Sequence, residues 1–244
     1  MSPGPLSRHP GIGKLVERQM RNWELARSQR VVPPEPQRKE VEEFMAVSRA
    51  VGAGGAGGAE IATALGERLG WPVFNKEILH AMADDDRIRT QLYDSMDERD
   101  LGWFEETFRA LAQSEFTKND YFHRLTHTIL ALARQGHAIF RGRAADLILP
   151  ATHGLRVRLT APRRACVEAY AEHHRIDPDR AREEVDRIET ERADFVRRHF
   201  GIDPAEQSRH DLIINLQRLT PAQTIELILF ALKIRGMVSA SGTG

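Results

Sequence analysis

The sequence predicts an α/β fold in which helices cover both faces of a five-stranded parallel sheet. Short apolar segments alternate with longer helical patterns along the chain, and this alternation is typical of β-α-β units. A run of glycines between the first strand and the next helix is a further feature of such folds. The predicted strands are residues 44–48, 72–74, 137–140, 155–161 and 211–215.

Length and composition indicate a globular protein with no bulk polyanionic partner. The chain has 244 residues, 41% of them hydrophobic, which suits one domain with an extension or two small domains. Its 35 basic residues balance 35 acidic ones, so we expect neither a nucleic acid polymer nor a membrane as partner. The lone Cys166 and the absence of a signal peptide or a long apolar run predict a cytoplasmic location.

Residues 1–30 are predicted to form a helical extension. Leu15, Met20, Trp23 and Leu25 make a narrow apolar stripe among charged residues. The stripe needs a partner, which is the chain's own domain, a second subunit in a homodimer, or a separate protein. Residues 31–43 follow as a linker because their prolines favour extended backbone.

The main domain is predicted to span residues 44–236. A helical insertion is expected at residues 76–135, and a charged helix at residues 177–200, opened by an Asp-Pro-Asp cap, is expected to act as a lid. Thr220 and Pro221 begin a last helix, and residues 237–244 are expected to be a disordered tail.

The glycine run after the first strand is the most informative feature for function. Glycine permits positive φ angles and lets backbone N–H groups approach an anion, and the following helix N-terminus adds partial positive charge. We therefore predict a phosphate-binding loop; a flexible loop without a ligand is the alternative. The predicted binding residues are Gly52, Gly54, Gly55, Gly57 and Gly58.

This loop fits the P-loop NTPase pattern GxxxxGK[ST] only in part. Gly58 stands where the lysine is expected, and Ala59 stands where the magnesium-binding hydroxyl is expected. Phosphoryl transfer needs positive charge on the donor phosphates, so another residue has to supply it. Arg49, at the end of the strand, is the nearest basic candidate. The predicted fold is thus a three-layer αβα arrangement of the P-loop NTPase type.

Several segments, taken in order, resemble the cytidylate kinase-like family of bacterial P-loop nucleoside monophosphate kinases. They run from about Met45 to Arg235 and include GGAEIATALGERLGWPVFNKEIL, FRGRAADLIL, RVRLTAP, ETERADFVRRHFG and DLIINLQRL. The resemblance implies an ATP- and Mg²⁺-dependent kinase that acts on a nucleoside monophosphate, CMP or dCMP. Ala59 replaces the arginine that this family carries in its loop, so a catalytically impaired nucleotide-binding or regulatory module is the alternative function. A kinase for a small non-nucleotide alcohol also stays open.

The resemblance also implies site residues outside the loop. Arg192 matches an arginine of the family's D-x-x-R pattern, with Glu189 in place of the aspartate, and is expected to act in catalysis with Arg198. Acceptor binding is expected of Lys76, Arg141 and Arg143; Arg143 falls on the arginine of the family's GRGA motif.

Other polar and aromatic residues are interpreted as structural. No metal site is predicted: the pair His123 and His127 lacks further ligands, and Asp84 to Asp86 are expected in a solvated turn. The aromatic residues of the insertion, Tyr121 among them, are expected to pack rather than to bind a base.

Overall fold

The computed structural model describes residues 10–28, 43–55, 57–96, 98–112, 119–134, 136–150, 153–204 and 206–238. The chain forms two compact units. Unit 1 comprises Met1–Met45 and Gly70–Gly154, and unit 2 comprises Ala46–Leu69 and Leu155–Gly244. Most of the predicted linker and residues 239–244 of the predicted tail lie outside the described residues.

The predicted five-stranded parallel α/β sheet is confirmed. Its strand order is β2-β3-β1-β4-β5, so β1 is central and the chain reverses direction across the sheet after β3. All five strands lie within one residue of the predicted bounds, because each is a short apolar segment next to turn residues. The strands are β1 (Phe44–Arg49), β2 (Val73–Phe74), β3 (Ala138–Arg141), β4 (Leu155–Thr160) and β5 (Leu212–Asn215).

In unit 1, β2 and β3 are paired and the helices pack on one another. Val73 is paired with Ile139, and Phe74 stacks on Phe140 with 5.7 Å between ring centroids. The N-terminal helix packs on the first helix after β2, and the side-chain oxygen of Gln19 accepts a hydrogen bond from the amide of Val73 at 2.9 Å. The helices are α1 (Pro10–Ser28), α3 (Lys76–Ala83), α4 (Asp86–Asp94), α5 (Glu98–Ala112), α6 (Asp120–Arg134) and α7 (Ala145–Ile148).

The N-terminal stripe therefore finds its partner in the chain itself. Val16, Met20 and Trp23 of α1 are buried, whereas Leu15 and Leu25 remain exposed. A homodimer through this helix stays a prediction.

Across its described residues, unit 2 contains most of β1, the strands β4 and β5, and four helices. Val157 is paired with Leu212 and Thr160 with Asn215 in the parallel β4–β5 register. The helix after β1 packs on the C-terminal helix, and the two helices between β4 and β5 pack on each other. These helices are α2 (Gly57–Leu69), α8 (Arg163–His174), α9 (Pro178–Phe200) and α10 (Pro221–Ile234).

Two predicted helix starts have the expected capping geometry. The Asp177 side chain accepts a hydrogen bond from the amide of Asp179 at the start of α9. Thr220 and Gln223 form a reciprocal capping box at the start of α10. These local contacts explain why both helices were predictable from sequence.

Helix α4 was not predicted. The turn expected at Asp84 to Asp86 is in part a helix cap, because the Asp85 carboxylate accepts hydrogen bonds from the amides of Arg87 and Ile88. Across the described ranges, no helix is both long and apolar enough to cross a membrane.

Candidate functional site

The loop after β1, residues 50–58, folds into consecutive turns. The amide of Ala50 donates to the Leu159 carbonyl of β4 at 3.0 Å, which fixes the start of the loop to the sheet. The amides of Ala53, Gly55 and Gly58 donate to carbonyls three or four residues earlier, at 2.9 to 3.1 Å. Ala56 lies outside the described residues. The described part of the loop is thus a hydrogen-bonded bend.

Three glycines of this loop leave no room for a side chain. A Cβ atom on Gly52, which has φ of +76°, would lie 2.1 Å from the backbone oxygen of Cys166. A Cβ on Gly54 would lie 2.5 Å from Leu216, and one on Gly58 would lie 2.4 Å from the Ala53 oxygen. Gly55 also has positive φ. The glycine run is therefore required by close packing as well as by backbone conformation.

The Arg49 side chain lies against this bend. Its Nη1 donates to the Gly55 oxygen at 3.0 Å and to the Ala53 oxygen at 3.3 Å. The same nitrogen is 3.1 Å from the position that a Cβ of Gly58 would occupy. The guanidinium of Arg49 thus stands next to the residue at which a P-loop carries its lysine.

Helix α9 contacts the same loop through a carboxylate and a guanidinium. The amide of Val51 donates to Glu189 Oε1 at 2.5 Å, and Arg192 Nη1 donates to the Arg49 carbonyl at 3.2 Å. Arg192 Nη1 also lies 3.9 Å from Glu189. Ile188 packs on a small core of Val51 and α8 and α9 residues, which holds this part of α9 at the loop. Of the predicted site residues, Arg49, Arg192 and the glycines are therefore together.

Glu189 is a contact that the sequence interpretation missed. Glu189 was identified only as the replacement for the family's aspartate, whereas its side chain binds a loop amide across 138 residues of sequence. Its spacing three residues before Arg192 was the available signal. In this structure a protein carboxylate provides the anionic oxygen at the first turn of the loop.

Arg198 is not brought to the loop with Arg192. Arg192 and Arg198 are six positions apart on α9, which corresponds to a rotation of about 240° around the helix, so they face different directions. Arg198 is exposed, and within the described part of the chain it has no ion-pair partner. A role for it in phosphoryl transfer stays a prediction.

Cys166 supports the loop through its backbone. Burial raises the pKa of the Cys166 thiol, and the nearby Glu189 carboxylate raises it further. The thiol donates to the Ala161 oxygen at 3.5 Å. Since a raised pKa keeps the thiol protonated, Cys166 is a packing residue in this unit.

In unit 1, the turn after β3 has a strained backbone. Gly142, Arg143 and Ala144 all have positive φ, at 76°, 56° and 56°. Non-glycine residues in this conformation cost about 1–2 kcal/mol each and are enriched at functional sites. The turn holds Arg143 between the end of β3 and the short helix α7.

The guanidinium of Arg143 has unused hydrogen-bonding capacity. Its buried Nε has no acceptor among the described residues, and the same is true of the nearby hydroxyl of Tyr121. Burial raises the pKa of Tyr121, while the Arg143 charge opposes that shift. Tyr121 also contacts the His80 ring, with 5.3 Å between centroids. Two buried polar atoms near this turn thus lack a hydrogen-bond partner among the described residues.

Lys76 and Arg141 are the remaining predicted acceptor residues. Lys76 is exposed at the first position of α3, and Asn75 caps this helix by accepting from the amide of Ile78 at 2.9 Å. Arg141 is the half-buried last residue of β3. Lys76 and Arg143 are described in unit 1, and the glycine loop is in unit 2.

The histidine pair of the insertion lies in an aromatic cluster. His123 and His127 stack with 4.6 Å between ring centroids, and Phe108 meets both rings edge-on. Burial lowers the pKa of His127 to about 4, and His123 and Arg89 act in the same direction. Across the ranges that the structure describes, no cluster of three metal-ligating side chains is present.

The sequence model of the cytidylate kinase-like family matches residues 45–218. This match covers most of the chain, including β2 to β5, all of β1 but Phe44, the glycine loop, Arg143 and Arg192. The chain belongs to the cytidylate kinase-like family. The resemblance predicted from sequence is thereby confirmed. No curated protein matches the chain significantly.

One solved structure agrees with the fold of this cytidylate kinase-like protein. An uncharacterized protein from Eubacterium ventriosum ATCC 27560 is similar at a TM-score of 0.53 and 14% identity, over 79% of this chain and 99% of the other. A sugar kinase from Janibacter sp. HTCC2649, solved without ligand, gives a TM-score of 0.38 and 13% identity, over 81% and 99% of the two chains. The likeness to the Eubacterium ventriosum protein, at 14% identity, indicates a shared fold alone.

Proposed function

We propose that this protein is an ATP-dependent nucleoside monophosphate kinase that transfers a phosphoryl group to CMP or dCMP. One observation carries the proposal: the Arg49 guanidinium lies beside Gly58, where a P-loop has its lysine, and donates to the loop oxygens of Ala53 and Gly55. Phosphoryl transfer needs positive charge beside the donor phosphates, and Gly58 cannot provide it. The Arg49 guanidinium would supply that charge at this position.

The glycine loop suits a polyphosphate chain. The missing Cβ atoms at Gly52, Gly54 and Gly58 allow close approach of backbone, and α2 begins at Gly57 directly after the bend. The loop follows the central strand, where the strand order reverses, and open α/β sheets bind ligands at such points. The Val51 amide already donates a hydrogen bond to the Glu189 carboxylate, which supports an affinity of this loop for anionic oxygen atoms.

The arginines of this chain would bind and neutralise phosphate charge. Arg49 and Arg192 would hold the donor phosphates, and the Arg143 guanidinium would bind the acceptor phosphate. Mg²⁺ would be bound with ATP mainly through phosphate oxygens and water, and it would neutralise charge on the transferred group. In this chemistry positioning and electrostatics suffice, so no protein nucleophile is needed.

The Glu189 contact favours a second candidate, an impaired nucleotide-binding module. The Glu189 carboxylate accepts a hydrogen bond from a loop amide, and Arg49 donates two hydrogen bonds to loop carbonyls. With Ala59 in place of the family's loop arginine, such a loop would bind nucleotide without efficient transfer. The first function requires that Arg49 and Arg192 turn from these internal contacts to phosphate oxygens.

A coupled kinase assay with ATP, Mg²⁺ and a panel of monophosphates tests the proposal. We expect turnover with CMP or dCMP, and a roughly 10²-fold lower kcat for Arg192→Ala because a transition-state contact is lost. Arg197→Ala is the matched control: it lies on the same helix, is 58% exposed against 55% for Arg192, and pairs only locally with Asp194.

Three outcomes separate the alternatives. Turnover that Arg192→Ala lowers and Arg197→Ala leaves unchanged supports the kinase. Calorimetric binding of ATP without turnover on any monophosphate supports the impaired module. The absence of affinity for both ATP and CMP at millimolar concentrations rejects both.

A further inference from the structure

The C-terminal helix α10 exposes an apolar seam. Leu227, Phe230 and Ile234 have exposed fractions of 40%, 60% and 70%, and the last two are the most exposed large apolar side chains in the described ranges. Their spacing of three and four residues places them on one face of the helix. We call these three residues the α10 seam.

The opposite face of α10 is already buried. Ile228, Leu229 and Leu232 are at most 2% exposed, and this face packs on α2 in the same unit. The helix is thus apolar on two faces, and Glu226 and Lys233 are its only charged residues between Pro221 and Ile234. A helix that is apolar nearly all round is normally buried on all sides, so the seam needs a cover.

We propose that a second copy of this chain covers the seam, through an antiparallel contact between two α10 helices that is centred on Phe230. The pattern of the seam, i, i+3 and i+7, is that of the a and d positions of a two-helix contact. An isologous contact of this kind needs a surface that is complementary to itself.

The flanking charges meet this requirement. Glu226 and Lys233 are seven residues apart and each precedes a seam residue, so both occupy the same flanking position of the heptad. In an antiparallel pair centred on Phe230, Glu226 of one copy lies next to Lys233 of the other, and this contact occurs twice. Arg68, which forms an ion pair with Glu226, extends the polar rim.

The size of the seam predicts a weak, reversible dimer. A helix of 14 residues is about 21 Å long. Two such helices bury less than the ~800 Å² per partner of a standard interface. Since the chain has equal numbers of acidic and basic residues, long-range repulsion between copies is small. We therefore expect dissociation in the micromolar range.

Sedimentation velocity of the full chain from about 1 to 300 µM tests the proposal. We expect a concentration-dependent monomer–dimer equilibrium that Phe230→Asp weakens at least about tenfold. Leu25→Asp is the matched control, because Leu25 is 51% exposed on α1, the helix of the alternative dimer. It should leave the equilibrium unchanged. Circular dichroism melts establish that both variants are folded.

A charge-reversal cycle distinguishes a specific pairing of Glu226 with Lys233 from a general effect of surface polarity on dimerisation. Glu226→Lys and Lys233→Glu should each weaken the dimer, since each places like charges together, and the double variant should restore it. The proposal is overturned by a monomeric wild type at all concentrations, whatever else covers the seam. It is equally overturned by a dimer that Leu25→Asp dissociates and Phe230→Asp does not, or by a double variant no better than the single ones.

Discussion

Replacement of Arg49 by alanine tests whether this residue supplies the cation of the glycine loop. In the free protein Arg49 donates to the Gly55 and Ala53 oxygens at 3.0 and 3.3 Å, and in the proposed complex the same guanidinium turns to phosphate oxygens. Two charged hydrogen bonds to phosphate contribute about 1.5–3 kcal/mol each, and the loss of the two internal bonds offsets part of this gain, so the alanine variant should lose about 2–3 kcal/mol of binding free energy. At 1.4 kcal/mol per factor of ten, ATP affinity should fall about 30- to 150-fold.

Calorimetric titration with ATP and Mg²⁺ measures this loss directly. Arg49→Lys keeps the charge and loses the planar fork, so we expect it to recover only part of the affinity. Arg163→Ala removes an exposed arginine of the same unit that pairs with Asp186, and it should bind ATP as the wild type does. An Arg49→Ala protein that is folded and binds ATP within a factor of two of the wild type would refute the reasoning.

The remaining predictions concern stability, measured as free energy of unfolding by denaturant titration. Gly52→Ala should destabilise the protein by about 2–5 kcal/mol, because the added Cβ would meet the Cys166 oxygen at a positive φ. Gly102→Ala, in open space on α5, should instead stabilise it by about 0.5–1 kcal/mol. Equal effects of the two substitutions would contradict the packing of the loop. Ala144→Gly should stabilise by about 0.5–1 kcal/mol by relieving its φ of 56°, and a loss of stability would show that the turn is unstrained. The pKa of His127 is about 4 in the folded protein and about 6.5 in the unfolded chain, so between these values only the unfolded chain binds the proton and stability should fall as the pH drops from about 6.5 to 4. His127→Phe should flatten this dependence of stability on pH. An unchanged dependence would contradict the burial of this ring.

The sequence predicted the strands and the glycine loop well because both depend on local signals. Apolar segments bounded by turn residues set the strands, and the positive φ angles of Gly52, Gly54 and Gly55 account for the glycine pattern. The caps at Asp177 and Thr220 are likewise local, since each bonds an amide two or three residues away.

The contacts around the loop were not predictable in the same way. The bond from Val51 to Glu189 joins residues 138 positions apart, and it depends on how α9 packs on its unit. Helix α4 was missed because its acidic start has the composition of a solvated turn. Only the structure shows that the Asp85 side chain caps this helix. The polar environment of Tyr121 and Arg143 likewise arises only when α6 and α7 pack together. Tertiary packing, rather than local propensity, decides such features.

The most direct test of the proposed function is an amide NMR titration of the isotope-labelled protein with ATP and Mg²⁺. If the glycine loop binds the phosphates, the amide signals of Gly52, Gly54 and Gly58 and the side-chain signal of Arg49 should shift together, with one dissociation constant. The signal of Val51 should shift with them as ATP displaces Glu189. Loop signals that stay in place up to about 10 mM ATP, a concentration that reveals even weak binding, would contradict the account.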